Sequence, residues 1–187
     1  MEFTPRELVE RAQKEFEGPL TGYAASLLGG DWERARDVVQ DTFIKLYRQD
    51  PNLIAGKLKS WLYTVCRNRA IDVLRKENPM RTSGGEAFEH LNDSRPDPSV
   101  TAEKRERHDE VMRFVERLPE NQREVIRLKF QGDLSYKEIA EIADLSVSNV
   151  GFLIHTGIKR LRMMMGVPDP KAARSDDDAS ESSRQSR

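Results

Sequence analysis

The sequence predicts an all-α protein of two small helical domains joined by a flexible linker, the second domain containing a helix-turn-helix. Three observations carry this. Apolar residues recur at helical spacing in several separate stretches, and the alternation of a half-buried strand appears nowhere. Residues 78–106 lose the period and turn to Gly, Ser, Pro, Asp and Glu. Near the far end, a short capped segment, a tight turn and a longer capped segment follow one another. The expected units are a domain at 1–78, a linker at 79–106, a domain at 107–166 and a disordered tail at 167–187.

Residues 4–28 read as one or two helices, with Pro5 near a start and Gly18-Pro19 as a break. Gly29-Gly30 ends the segment. Asp31 caps a helix that reaches about Arg48. Ala35, Val38, Val39, Thr42, Phe43, Leu46 and Tyr47 share its apolar face, and Asp37, Gln40, Asp41, Lys45 and Arg48 the other. Asp50-Pro51 stops it, since the residue before proline disfavours helical geometry. Residues 51–57 read as a loop. Residues 58–77, LKSWLYTVCRNRAIDVLRKE, then form the helix around which the first domain is organised. Leu58, Trp61, Leu62, Val65, Ala70, Ile71 and Leu74 make its inward stripe. Lys59, Arg67, Asn68, Arg69, Asp72, Arg75 and Lys76 can meet phosphates and base edges. A plain solvated face is the ordinary explanation of such a stripe, so a second signal is needed.

The linker holds a weak helix signal at Glu86–Leu91. From Arg107 the period returns, with Val111, Phe114, Val115 and Leu118 ending at Pro119. Asn121–Phe130 follows as a short helix. Ser135 and Glu138 have the spacing of a capping box, which opens a helix over Tyr136–Ile142. Ser146 caps the last helix, which runs to about Met165 before Gly166 and Pro168. Ile139, Ala140, Ala143, Leu145 and Val150 are spaced to pack these last two helices together. The first turns of the second carry Ser148, Asn149, Gly151 and Phe152. In a helix-turn-helix that end enters the major groove, where Asn pairs with adenine and Phe touches a thymine methyl. This is the second signal.

Composition bounds the partners. The 31 Lys and Arg balance 32 Asp and Glu to a net charge of −1, which argues against nonspecific coating of nucleic acid. Basic residues still cluster at Arg67–Lys76 and at Lys159, Arg160 and Arg162. DNA affinity of the chain alone is therefore expected to be weak and salt-sensitive, most of the binding energy coming from a larger assembly. One cysteine, Cys66, excludes an internal disulfide and reads as a small core residue. Three dispersed histidines suggest no metal site. No secretory start and no apolar run of membrane length are expected, and the expected compartment is a reducing cytoplasm. No cofactor and no catalytic activity are expected, because no nucleophile–base pair or clustered carboxylates stand in an ordered segment.

Four stretches taken together carry a resemblance: DVVQDTFIKLYR (37–48), LKSWLYTVCRNRAIDVLRKENP (58–79), LPENQREVIRLKF (118–130) and LSYKEIAEIADLSVSNVGFLIH (134–155). In order and spacing they resemble the group IV, or extracytoplasmic-function (ECF), sigma factors of bacterial RNA polymerase, within the sigma-70 family. The resemblance covers about residues 5–78 and 107–165. It implies promoter recognition and transcription initiation, with the first domain on the polymerase clamp and the −10 element and the second on the flap and the −35 element. By position, Asp37, Gln40 and Asp41 would meet the clamp. Trp61, Asn68, Arg69, Asp72, Arg75 and Lys76 would lie along the −10 DNA, Trp61 reading first as core and second as a stacking residue. Ser146, Ser148, Asn149, Phe152, His155 and Lys159 would face the −35 groove. The linker, about 95 Å when extended and about 30 Å as a coil, suffices for elements about 25 base pairs, or about 85 Å, apart.

The chain departs from the family pattern twice. Arg34 and Arg36 stand where acidic residues usually precede Asp37 on the clamp-binding face. Gly151, Leu153, Thr156 and Ile158 stand where Lys or Arg are usual. The first departure suggests a core-binding face regulated by added negative charge, through a kinase, or by an anti-sigma factor. The second suggests weaker −35 binding, or a protein-binding use of the helix. The alternatives to the sigma reading are a stand-alone helix-turn-helix regulator and a protein–protein adaptor.

Overall fold

The computed structural model describes residues 4–77 and 102–168, and every regular element among them is helical. Helix α1 spans Pro5–Leu27. Thr4 and Glu7 close a capping box at its start, each satisfying an amide that the first turn leaves free. The helix runs unbroken through Pro19. Its buried line of Leu8, Ala12, Phe16, Leu20 and Tyr23 passes on the opposite side, while Gly18 and Pro19 face outward. Packing of that line outweighs the one backbone hydrogen bond that proline cannot make.

Gly29 and Gly30 turn the chain with φ of 68° and 90°, a region open to glycine without strain. Helix α2, Trp32–Tyr47, starts on Asp31, whose carboxylate accepts from the Arg34 amide. Ala35, Val38, Val39, Thr42, Phe43 and Leu46 are buried as expected, but Tyr47 is 59% exposed at the helix end. Residues 51–57, expected as a loop, are helical: α3 covers Pro51–Ile54 and a 3₁₀ turn covers Ala55–Lys57. The Asp-Pro pair that stops α2 also starts α3, with Asp50 as the cap and Pro51 at the first position. Helix α4 is Leu58–Glu77. Its fully buried line is Leu62, Tyr63, Cys66 and Ala70, so the inward stripe is centred one position past the predicted one and includes Tyr63. Helices α1, α2 and α4 pack together as the first domain.

Helix α5 runs Ala102–Glu116 and begins five residues before the expected domain start at 107. The predicted linker helix at Glu86–Leu91 and most of the predicted tail lie outside the described residues. Helix α6 spans Glu120–Phe130, α7 Tyr136–Ala143 and α8 Val147–Met164. Asp144 takes a left-handed conformation at φ 55° to close α7. Gly166, at φ 67°, ends α8 while the Val167 amide donates back to the Arg162 carbonyl. A small cluster of Val115, Leu118 and Ile126 joins α5 to α6. Beside it Glu116 accepts from Arg123 and Arg127, so the buried Arg127 guanidinium is paired.

The main core does not stop at the first domain. Val125, Leu128, Leu134, Ile139, Ile142, Val150 and Ile154 continue the cluster that begins with Leu8 and Leu62. Helix α7 packs on α4, and the two domains lie against each other.

Candidate nucleic-acid and protein interface

The helix-turn-helix is built by two caps and a small crossing. Ser135 Oγ accepts from the Glu138 amide at 3.3 Å, and the Glu138 carboxylate accepts from the Ser135 amide at 2.8 Å. Burial pushes the Glu138 carboxyl up. Hydrogen bonds from the Ser135 hydroxyl and amide, with the charges of Lys59 and Lys129, overcome this and hold it below the usual range. Ser146 Oγ accepts from the Asn149 amide at 3.2 Å and starts α8. Ile139, Ala140 and Val150 are buried between the helices, with Ala143 and Leu145 half-buried beside them. The ring of Tyr136 lies 3.7 Å from where a Gly151 side chain would begin, an ordinary contact distance.

Opposite the buried line of Val150, Ile154 and Gly157, α8 presents Ser148, Asn149, Phe152, His155 and Lys159 to solvent. Phe152 is 64% exposed, an uncommon position for a large apolar ring without a partner. Ser146 is also exposed, its oxygen used by the cap. All six −35 candidates are therefore exposed. The apolar departures have an internal explanation. Leu153 and Ile158 pack against the main core, and Thr156 accepts from Gln122 at 3.2 Å. Gly157 is buried against Ile126 and Gln122.

On the first domain, Asn68, Asp72, Arg75 and Lys76 are exposed on α4. Asp72 and Arg75 stand 3.9 Å apart. Trp61 is half-buried against the core, which fits its first reading. Arg69 does not project freely, because its Nε donates to Asp41 on α2 at 2.7 Å. A −10 candidate and a clamp candidate thus hold one another, and the exposed faces of α2 and α4 meet at that pair. Asp37, Gln40 and Arg36 are exposed on α2. Arg34 reaches back to the Asp31 carboxylate at 3.0 Å. Thr42 is fully buried and donates to the Val38 carbonyl at 2.8 Å.

Three sets of contacts lie beyond what sequence patterns show. Glu124 on α6 accepts through one oxygen from Tyr23 on α1 at 2.6 Å and from Arg67 on α4 at 3.0 Å. Lys59 donates to the Asp133 carbonyl at 2.7 Å. The Tyr63 ring lies 5.2 Å from that of Tyr23 and against Gly132. Among the described residues, no cluster of potential metal ligands forms and no helix is long and apolar enough to cross a membrane.

Comparison with known families matches Sigma-70 region 2 to residues 14–79 and Sigma-70, region 4, to residues 108–161. The chain is 33% identical over 133 residues to the ECF RNA polymerase sigma factor RpoE of Cereibacter sphaeroides, covering 71% of each chain. The chain belongs to the ECF sigma factors of the sigma-70 family. It is 30% identical over 145 residues to the ECF RNA polymerase sigma factor SigW of Bacillus subtilis, covering 73% of this chain and 78% of that one. Among solved structures, it resembles the sigma factor RpoE of Bartonella quintana in complex with the anti-sigma factor NepR. The TM-score is 0.68 at 22% identity, over 86% of this chain and 98% of that one. CnrH in complex with the cytosolic domain of CnrY matches at a TM-score of 0.55 and 21% identity, over 89% of this chain and all of that one. As a sigma factor the chain recognises promoters for RNA polymerase. The region 2 match takes in α1 from residue 14 together with α2, α3 and α4, and the region 4 match takes in most of the helix-turn-helix.

Proposed function

We propose that this sigma factor docks on core polymerase through the exposed face of α2 and reads the −35 element with α8, its region 2 meeting the −10 element through α4. The observation that carries the reading is the outward stripe of Ser148, Asn149, Phe152, His155 and Lys159 on a capped second helix. Asn149 and Phe152 read bases, Lys159 meets a phosphate, and Asn68, Arg75 and Lys76 follow the −10 DNA. Asp37, Gln40 and Asp41 meet the clamp, and region 4 meets the flap. The protein acts in the cytoplasm as a non-catalytic subunit.

Arg34 and Arg36 make docking charge-controlled. They place positive charge beside Asp37 on a surface that meets a basic partner, so added negative charge strengthens binding. An anti-sigma factor or a kinase supplies the control. Thr42 is not the modified hydroxyl in the folded chain, since it is sealed in the core.

The test is binding of purified core polymerase to the wild type and to the Arg34→Asp/Arg36→Glu variant, followed by transcription from a promoter library. Tighter binding by the variant supports charge control, and equal or weaker binding refutes it. Binding by neither protein refutes the sigma reading of these faces.

A further inference from the structure

Three large apolar side chains stand exposed around the start of α8. Phe152 is 64% exposed, Val147 49% and Tyr136 42%. The Tyr136 ring lies beside Gly151. Val147 shares a helix face with Gly151, one turn on, and Phe152 follows directly. An apolar patch therefore adjoins Asn149 at the end of α8 that enters the groove.

The charge pattern narrows what this end can read. Between Asp144 and Lys159 the sequence has no Asp, Glu, Lys or Arg. The forked cation-to-guanine contact, the commonest specific one, is therefore absent from the first three turns of α8. Two hydroxyls there are already used. Ser146 Oγ accepts from the Asn149 amide, and Thr156 donates to the Phe152 carbonyl at 2.8 Å. Leu153 and Ile158 pack inward on the core, whereas the Phe152 ring stays outside between Ser148 and His155 on the exposed stripe. Base edges in the major groove carry donors, acceptors and one apolar group, the 5-methyl of thymine. An aromatic ring gains most there by covering that methyl. Asn149 is three residues before Phe152, about 4.5 Å along the helix axis. That is close to the spacing of about 3.4 Å between neighbouring base pairs, so the two side chains reach neighbouring pairs.

We propose that Phe152 is a specificity determinant of this sigma factor, reading a 5-methylpyrimidine in the −35 element by burying its methyl group. The inference rests on α8 as the −35 reader, proposed above, and adds the chemical group it recognises. Thymine is the ordinary source of that group and 5-methylcytosine the other.

The test uses holoenzyme assembled from core polymerase and the full chain, on a duplex that the wild type selects from a library randomised at −35. Each thymine on either strand of the selected element is replaced in turn by deoxyuridine, which removes the methyl and keeps the pairing. The expected result is a loss of about fourfold at one position, the worth of one buried methyl. Phe152→Ala should bind the unmodified duplex at least fourfold more weakly than wild type and should be indifferent to uracil. Truncation removes an exposed ring and leaves the Phe152 carbonyl to accept from Thr156, so α8 is kept. With cytosine at the same position, 5-methylation should regain about fourfold in wild type and nothing in Phe152→Ala, which separates the methyl from the exocyclic groups. A flat uracil scan overturns the proposal, as does an equal uracil penalty in Phe152→Ala or no gain from methylating cytosine. Weaker binding of Phe152→Ala to core polymerase without DNA also overturns it, and assigns the ring to a protein partner. A flat scan in which Asn149→Ala still alters base preference removes the methyl contact alone. If neither moves, α8 does not read the element, and the underlying reading fails with it.

Discussion

Asn149→Ala separates the proposed base reading from folding, because the α8 cap uses the backbone amide of Asn149 while base reading would use its side chain. The Asn149 amide closes the α8 cap by donating to Ser146 Oγ at 3.2 Å. Its side chain is exposed on the outward stripe. Truncation leaves the amide in place and improves helix propensity by up to about 0.5 kcal/mol. Stability is therefore expected to stay level or rise slightly. A bidentate Asn–adenine pair discriminates by about 1–3 kcal/mol, so promoter affinity falls about 5- to 150-fold. Ser146→Ala is the contrasting variant. It keeps the Asn149 side chain and removes the cap, costing about 1 kcal/mol of stability, or about 4–8 °C in a domain of about 60 residues. The assay is competition binding of polymerase carrying each variant to promoters changed one base at a time, beside thermal unfolding of the free chain. Unchanged base preference in Asn149→Ala would refute base reading. A melting loss in Asn149→Ala as large as that of Ser146→Ala would refute the division of labour.

Three further outcomes are expected. A Gly132→Ala side chain would stand 2.8 Å from the Leu128 carbonyl oxygen and 3.1 Å from the Tyr63 ring. Since the carbonyl is backbone and cannot step aside, the variant should lose about 1–3 kcal/mol, seen as a lower urea midpoint. The Glu138 carboxyl is held below its ordinary value of 4.5, so its share of α7 stability is complete above that pH and fades as pH falls through the lowered folded value. Hydrogen exchange at the α7 amides should accelerate in that acid window, and Glu138→Gln should abolish the change. Arg34→Asp/Arg36→Glu should bind core polymerase more tightly by about 1 kcal/mol or more, near fivefold, read by titration at low salt.

What the sequence determined by itself is local. The caps at Asp31, Ser135 and Ser146 satisfy amides within a few residues of themselves, so their spacing is legible in the chain. Periodicity found most of the buried faces of α2 and α7, whereas the family resemblance supplied the full candidate stripe of α8. Four spaced motifs sufficed for the family. Local rules misread Gly18-Pro19 as a break and residues 51–57 as a loop. A proline on the exposed side of a well-packed helix is tolerated, and Asp-Pro begins helices as readily as it ends them. Only the tertiary structure decided that Tyr23 meets Glu124 across 101 residues, and that Arg69 answers Asp41 across 28. It also decided that Leu153 and Ile158, apolar where cations were expected, face inward. Such contacts depend on how whole helices close upon one another. No property of a short window encodes that, because the energy comes from surfaces that become neighbours only after the chain has folded.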